Sequence, residues 1–333
     1  MRGRSWLVLV LALVLLSPLP GCQRRQETYP KLMLRYADNQ PEDYPTTLAA
    51  QHFAKLVEER TGGEIVIRVY PDGELGEEVS VFEQVQIGGV DMARASVGTL
   101  GQFFPQAGVL QLPYLFTDAD HQWRVLDGEI GDELLETMEE AGVIGLSWFD
   151  AGARNLYTTT QVSSAADLAG MTIRVQESES MSRMVRLWGA TPVQIPYGEV
   201  YSALQTGRID GAENNYPSYE TSGHFEAAPY YLLDSHARLA EVQLISKVAM
   251  ERIEAVNPDY PQVIRQCARE CALYERELWR KRERQSEELV RQYGCVVTEP
   301  SQAALEEFRA LVRPMYESYH KDLRELIDRI RAS

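Results

Sequence analysis

Runs with a period of two alternate along the chain with runs of helical period, and this alternation sets the expected elements. Residues 31–36 and the β-branched run 64–70 predict strands, because successive strand side chains point to opposite faces. Between them, residues 46–60 place Leu48, Phe53, Leu56 and Val57 on one helical side and stop at Thr61-Gly62-Gly63. Residues 118–140 predict a helix weakened at Gly128 and Gly131, 142–150 a buried strand, and 163–170 a short capped helix. Two further strands are expected at 172–175 and 207–212, extended chain at 112–116, a loop at 216–223, and more strand across 230–248. Residues 261–293 carry no internal glycine or proline and predict a helix about 50 Å long, enough to back two domains. The resulting expectation is an α/β fold.

Two stretches echo each other. Residues 85–93, VQIGGVDMA, align without gaps on 204–212, LQTGRIDGA, with Gln, Gly, Asp and Ala at identical spacing. In each, a helix ends at a glycine, where left-handed backbone is cheap, and a buried strand follows. Such junctions are common, so chance is one explanation; the other is a pair of α/β units of like construction. On the second, Ala95-Ser96 correspond to Asn214-Asn215 at strand ends, where ligands of open α/β sheets sit. Strand 172–175 sends Ile173 and Val175 into the core and Thr172 and Arg174 the other way. Arg174 would then face Glu213-Asn214-Asn215, and its planar donor fork fits a carboxylate. Asn39 and Tyr44, in the loop after the first strand, are further cleft candidates, although an Asx turn explains Asp38 or Asn39 equally. Glu77 has an alternative role at a helix N-terminus, and Arg154, following a strand, reads by itself as a surface or salt-bridge residue before a ligand contact.

At the N-terminus Arg2 and Arg4 precede an apolar run, 6–16, that Pro18, Pro20 and Gly21 end. Residues 1–21 therefore read as an export signal, too short for a membrane span. Leu19-Pro20-Gly21-Cys22 resembles a lipobox in spite of Pro20, which would acylate Cys22 and leave 22–30 as a tether; a plain cleaved signal is the alternative. Without Arg2 and Arg4, 31 basic residues face 49 acidic ones, a balance of −18 that argues against nucleic acid as a partner. Cys267, Cys271 and Cys295 remain, an odd number, and the first two stand one helical turn apart as small core residues would. None of the 5 histidines forms a metal-spaced pair, so no metal or cofactor is expected. No nucleophile elbow or phosphate loop is present, while a glycosidase-like carboxylate pair stays open among so many acids.

Several motifs now fall into one order: Tyr70-Pro71 with Glu74-Leu75-Gly76, Gly89-Val90-Asp91, Leu112-Pro113-Tyr114, Gly152-Ala153-Arg154, Leu168-Ala169-Gly170 with Ile173-Arg174-Val175, Gly189-Ala190-Thr191-Pro192, and Glu199 through Asn214. From Lys31 to about Asp322 the chain resembles the solute-binding proteins of tripartite ATP-independent periplasmic (TRAP) transporters, carriers of organic acids. The resemblance implies a two-domain, periplasmic-binding-protein-like fold, with 31–151 and about 240–279 in one domain and 152–239 and about 280–333 in the other. It implies a cleft between them and a long helix spanning both. By the same resemblance Arg174 anchors the substrate carboxylate, Arg154 contacts it second, Asn214 lies in the cleft and Tyr197 floors it. Asn39, Glu77 and Ser96 would read the rest of the ligand from the first domain. The partners implied are a small organic acid and the small and large membrane subunits of the carrier, with no enzymatic step.

The sialate-binding branch has an acidic residue and an arginine where Ser96 and Thr99 stand, so sialate is not expected. Glu77, Asn39 and the Asn214-Asn215 pair suit several hydroxyls, which makes a hexuronate such as glucuronate or galacturonate the leading ligand. A dicarboxylate or keto acid is the alternative for the same transport role. From other classes, a lipid-anchored enzyme on sugar acids and a sensor of the same fold are the rivals.

Overall fold

In the computed structural model, which describes residues 30–318 and 320–333, the strand expected at 142–150 does not stop at Asp150. The expected export signal, Cys22 and nearly all of its tether lie outside the described residues. Leu32–Ala37 (β1), Ile65–Tyr70 (β2) and Met92–Ser96 (β3) come first, and the prolonged strand is Val143–Thr158 (β4). Thr172–Val175 (β5), Thr191–Gln194 (β6), Gly211–Asn214 (β7), Tyr230–Ser246 (β8) and Val296–Thr298 (β9) follow. These nine strands among the described residues form one sheet in the order β2-β1-β3-β8-β4-β7-β5-β6, with β9 on β8. The fold is α/β, with two parallel halves, β1 to β3 and β5 to β7, joined by the long antiparallel pair β4 and β8.

The crossing between halves is made of strand, and its sequence explains why. Register slips between Asp150 and Ala153 and again between Arg154 and Leu156 on β4. Gly152 supplies the left-handed backbone, φ +61°, that the first slip uses. At the second, side chains take over from backbones that have parted: Asn155 Oδ1 accepts from Ser235 N at 2.9 Å, and Asp234 Oδ1 accepts from Leu156 N at 3.1 Å. Arg154 and Asn155 are therefore strand residues, where the sequence reading ended the strand at Asp150.

The echo is structural. Gly88 and Gly207 both take positive φ, +75° and +67°. Asp91 Oδ2 accepts from Arg35 N on the neighbouring strand at 2.8 Å, and Asp210 Oδ2 accepts from Thr172 N at 2.7 Å. Ser96 and Asn215 then each cap the next helix, accepting from Gly98 N and Ser218 N at 3.1 and 2.8 Å.

Other expectations change. The segment 216–223 is not a loop: Asn215 caps helix Tyr216–Thr221, and Pro217 fits its first turn. Residues 112–116 form turns after helix Pro105–Val109, with Tyr114 at φ +61°, and not a strand. The 118–140 helix breaks at Gly128 into Ala119–Leu126 and Glu129–Thr137.

Helix Pro45–Arg60 and the long helix Tyr260–Gln292 cover β1 and β2, burying Phe53, Val57, Ile264, Cys267 and Cys271 together. Both cysteines are free thiols in this core, as small core residues should be. Tyr157, Ile195, Tyr219 and Tyr231 centre the core of the other half. The closing helix Lys321–Ala332 returns to the first half, where His121 Nε2 donates to Ile330 O at 2.7 Å.

Candidate functional site

The carboxyl ends of both parallel halves point at one another across a cleft. Arg154 from β4, Arg174 from β5, Asn214 from β7, Asn215 and Tyr197 line one wall, and Asn39, Glu77, Glu78, Arg94 and Glu241 line the other. The cavity between the walls has room for about 30 Å³, far less than an organic acid occupies, so admitting one requires the lobes to part. They meet in direct contacts: Tyr44 Oη and Ser218 Oγ are 2.8 Å apart, Gln176 Nε2 donates to Ser96 Oγ at 3.2 Å, and Gln102 donates to Glu177 O. The Glu77 carboxylate lies so close to Gly198 that a Cβ there would stand 2.6 Å from Oε1.

Three guanidinium groups reach this cavity, and they differ in how many donors are spent. Each has five N–H groups and none can be given up as a proton. Arg94 uses all five: Nε and Nη2 donate to Asp38 Oδ1 at 3.1 and 2.7 Å, Nη2 also to Asn39 Oδ1, and Nη1 to Glu78 and to Glu241 Oε2, the last at 2.7 Å. Arg154 uses four, donating to both Glu213 carboxylate oxygens, to Glu213 O at 2.6 Å and to Asn214 Oδ1 at 2.9 Å. Arg174 uses one. Its Nε donates to Ile195 O at 2.8 Å, and among the described residues Nη1 and Nη2 have no partner. Arg174 is nonetheless 3% exposed. Burial and the nearby Arg154 push its pKa down, against the pull of Glu213.

The ground behind Arg174 is aromatic and uncharged. Tyr157 Oη bonds His224 Nδ1 at 2.7 Å, and burial, then Arg174, lower His224 to about 3, so the imidazole is neutral. Tyr197 packs edge-on to that ring at 5.9 Å and donates to Ser218 O at 3.2 Å. A buried cation in such surroundings gains most from an anion that brings its own acceptors.

Arg154 belongs to a buried chain of charges. Glu213 faces His236 Nε2 at 3.4 Å, and His236 Nδ1 lies 2.8 Å from Asp234 Oδ2. Burial opposes the carboxylate, yet Arg154 and His236 bring Glu213 down to about 2. Burial likewise opposes the imidazolium, and Asp234 and Glu213 overcome it, raising His236 to about 9. This chain fixes Arg154 in place and leaves one Nη1 proton for the cavity.

Of the sequence-derived candidates, Arg174, Arg154, Asn214, Asn215, Tyr197, Asn39 and Glu77 are brought to the cavity. Ser96 sits just behind it, capping a helix and accepting from the cavity residue Gln176. Tyr44 is buried as an interlobe contact. Sequence reasoning passed over Arg94, Glu78 and Glu241. The echo held the signal: Arg94 and Glu213 occupy the same position in the two units, each a charge inside a short strand that is otherwise buried.

A wider groove of about 440 Å³ lies between helix Glu129–Thr137 and the long helix. Two of its arginines are already braced by acids, Arg276 to Asp127 at 2.7 Å and Arg265 to Glu139 at 4.0 Å, and it gathers none of the cleft residues. Among the described residues no group of three or more His, Cys, Asp or Glu could hold a metal, and no helix is long and apolar enough to cross a membrane.

The profile of the bacterial extracellular solute-binding proteins, family 7, matches residues 36–322. A TRAP periplasmic solute binding protein from Xanthobacter autotrophicus Py2, solved with bound β-D-galacturonate, is 40% identical, with 90% of this chain and 99% of that one covered at a TM-score of 0.86. One from Roseobacter denitrificans, with bound β-D-glucuronate, is 37% identical over 91% of this chain and 100% of that one, also at a TM-score of 0.86. A solute-binding protein of Chromohalobacter salexigens is 36% identical over 291 residues, 86% of this chain and 85% of its own length.

Proposed function

Since the chain belongs to the extracellular solute-binding proteins of family 7, which serve TRAP transporters, we propose that its ligand is a hexuronate of the glucuronate or galacturonate kind. One observation carries the reading: a buried Arg174 whose two terminal nitrogens face the cavity without a partner among the described residues. A carboxylate supplies two acceptor oxygens in the plane of that fork and the compensating charge. The free Nη1 proton of Arg154 and the Nδ2 group of Asn214 add donors on the same wall. Asn39 and Glu77 offer acceptors to hydroxyls on the other. The uronates bound by the relatives above support the same choice.

The mechanism is closure about the β4 and β8 crossing. The lobes, residues 31–151 with about 240–279 and 152–239 with about 280–320, part to admit the acid. They meet again over it, with the closing helix Lys321–Ala332 resting on the first. Ligand that touches both walls favours the closed state by its differential affinity for it, and that state is what the membrane subunits receive.

Arg174→Ala should weaken uronate binding at least about 100-fold by calorimetry, with folding checked by far-UV circular dichroism. An unchanged dissociation constant would remove Arg174 as the anchor. Export by the 1–21 leader with acylation at Cys22 completes the reading. Cys22→Ser should then move the protein from the membrane to the soluble fraction, and equal partition of both forms would leave a plain cleaved signal.

A further inference from the structure

The wall opposite Arg174 carries more negative charge than its one cation balances. Asp38, Glu78 and Glu241 all bond Arg94, which has no N–H left. Glu77 and Glu177 line the same cavity. Glu78 Oε2 accepts from Thr99 Oγ1 at 2.7 Å, and Glu77 Oε2 is 3.5 Å from Asn39 Nδ2. Glu241 Oε1 has no hydrogen bond among the described residues, and the residue lines the cavity. Arg94 therefore serves as a brace that holds acceptors toward the ligand, and it cannot itself grip an anion.

We propose that Glu241, supported by Glu78 on the same Arg94 nitrogen, is the specificity determinant that restricts the cleft to monoacids. It accepts a hydroxyl proton at the end of the ligand remote from its carboxylate, and it repels a second carboxylate there. The proposal rests on the hexuronate reading. At the opposite end of a uronate's carbon chain from the carboxylate is C1, whose anomeric hydroxyl is a hydrogen donor; in the matching hexarate that carbon is a carboxylate with no proton to give. Arg174 satisfies one carboxylate in either ligand, so the difference between them falls on this wall. Like charge set against like charge is itself a filter against the wrong ligand, added to the lost hydrogen bond.

Burial, together with Glu78 and Asp38, raises Glu241 to about 7 in spite of Arg94, which fits a wall where acidic side chains crowd one cation. A second carboxylate would add to that repulsion. The remaining groups near Glu241 are Tyr44, Arg154 and Glu275, the last with its pKa pushed well up by burial and by Asp150. None of them supplies an unpaired cation to receive a dianion at this end.

The test compares glucuronate with glucarate, and galacturonate with galactarate, by calorimetry at pH 8 on the mature chain and on Glu241→Gln and Glu78→Gln. The wild type should bind the uronate at least about 100-fold more tightly than the hexarate. In Glu241→Gln that gap should narrow to about 10-fold or less, with uronate weakened as hexarate tightens, since an amide accepts less strongly but does not repel. Opposed changes in one variant are not produced by simple destabilisation, and Glu78→Gln gives a second reading if Glu241→Gln folds poorly. Equal binding of uronate and hexarate by the wild type overturns this proposal while leaving the uronate site intact. Binding of no sugar acid at all overturns both.

Discussion

His236 lies between two carboxylates, Asp234 at 2.8 Å and Glu213 at 3.4 Å, with no exposed side-chain surface. Its pKa is raised from the ordinary 6.5 to about 9, so the folded state holds a proton that the unfolded chain releases earlier. The stabilisation is complete below pH 6.5 and disappears as pH rises through 9. The size is about 3 kcal/mol by linkage, and it is the same interaction that depresses Glu213, so the two shifts are not summed. Urea unfolding at pH 6, 7.5 and 9.5 should show wild-type stability falling across that window, while His236→Gln starts lower and changes less; parallel curves would mean the imidazolium is not what holds Glu213. Arg174 was legible in the sequence because strand alternation alone turned it away from the core. The use of Arg154 was not, because Glu213, which takes up three of its bonds, is 59 residues away in sequence and becomes its partner only when β4 pairs with β7.

The strands that cross between the lobes depend on one residue without a side chain. Gly152 stands at φ +61°, and a Cβ there would lie 2.6 Å from Glu283 Oε1 and 3.0 Å from Trp279 Nε1 on the long helix. Glu283 can swing aside, whereas Trp279 is 1% exposed and packed edge-on against Tyr44 at 5.9 Å. Gly152→Ala should therefore cost about 1 to 3 kcal/mol in unfolding free energy, from backbone strain and displaced packing together. A thermal midpoint equal to wild type would show the crossing to be more pliant than this geometry implies. Small residues at 151–153 and a glycine resemble a loop in sequence, and only the pairing of Ala153 with Arg238 and Arg154 with Ala237 shows that the strand resumes. Helix Tyr216–Thr221 was hidden for a similar reason. Its start is set by the Asn215 side chain, which the sequence offered equally as a ligand contact.

At the scale of the molecule, the paired units were visible as a repeated nine-residue pattern, and the structure gives the repeat its purpose. Asp91 and Asp210 tie equivalent strand junctions, so the two strand ends that form the cleft are built by the same local rule. What the pattern could not show is that β8 sits at the middle of the sheet, bonded along β3 and β4 at one end and along β4 and β9 at the other. That position has a consequence in time. A chain emerging from its N-terminus lays down β1 to β7 first, yet β3 and β4 cannot be joined into one sheet until Tyr230–Ser246 arrives between them. Both halves then wait on the same late segment, and in a nascent chain ending before Tyr230 β3 and β4 each present an open inner edge and neither lobe is finished.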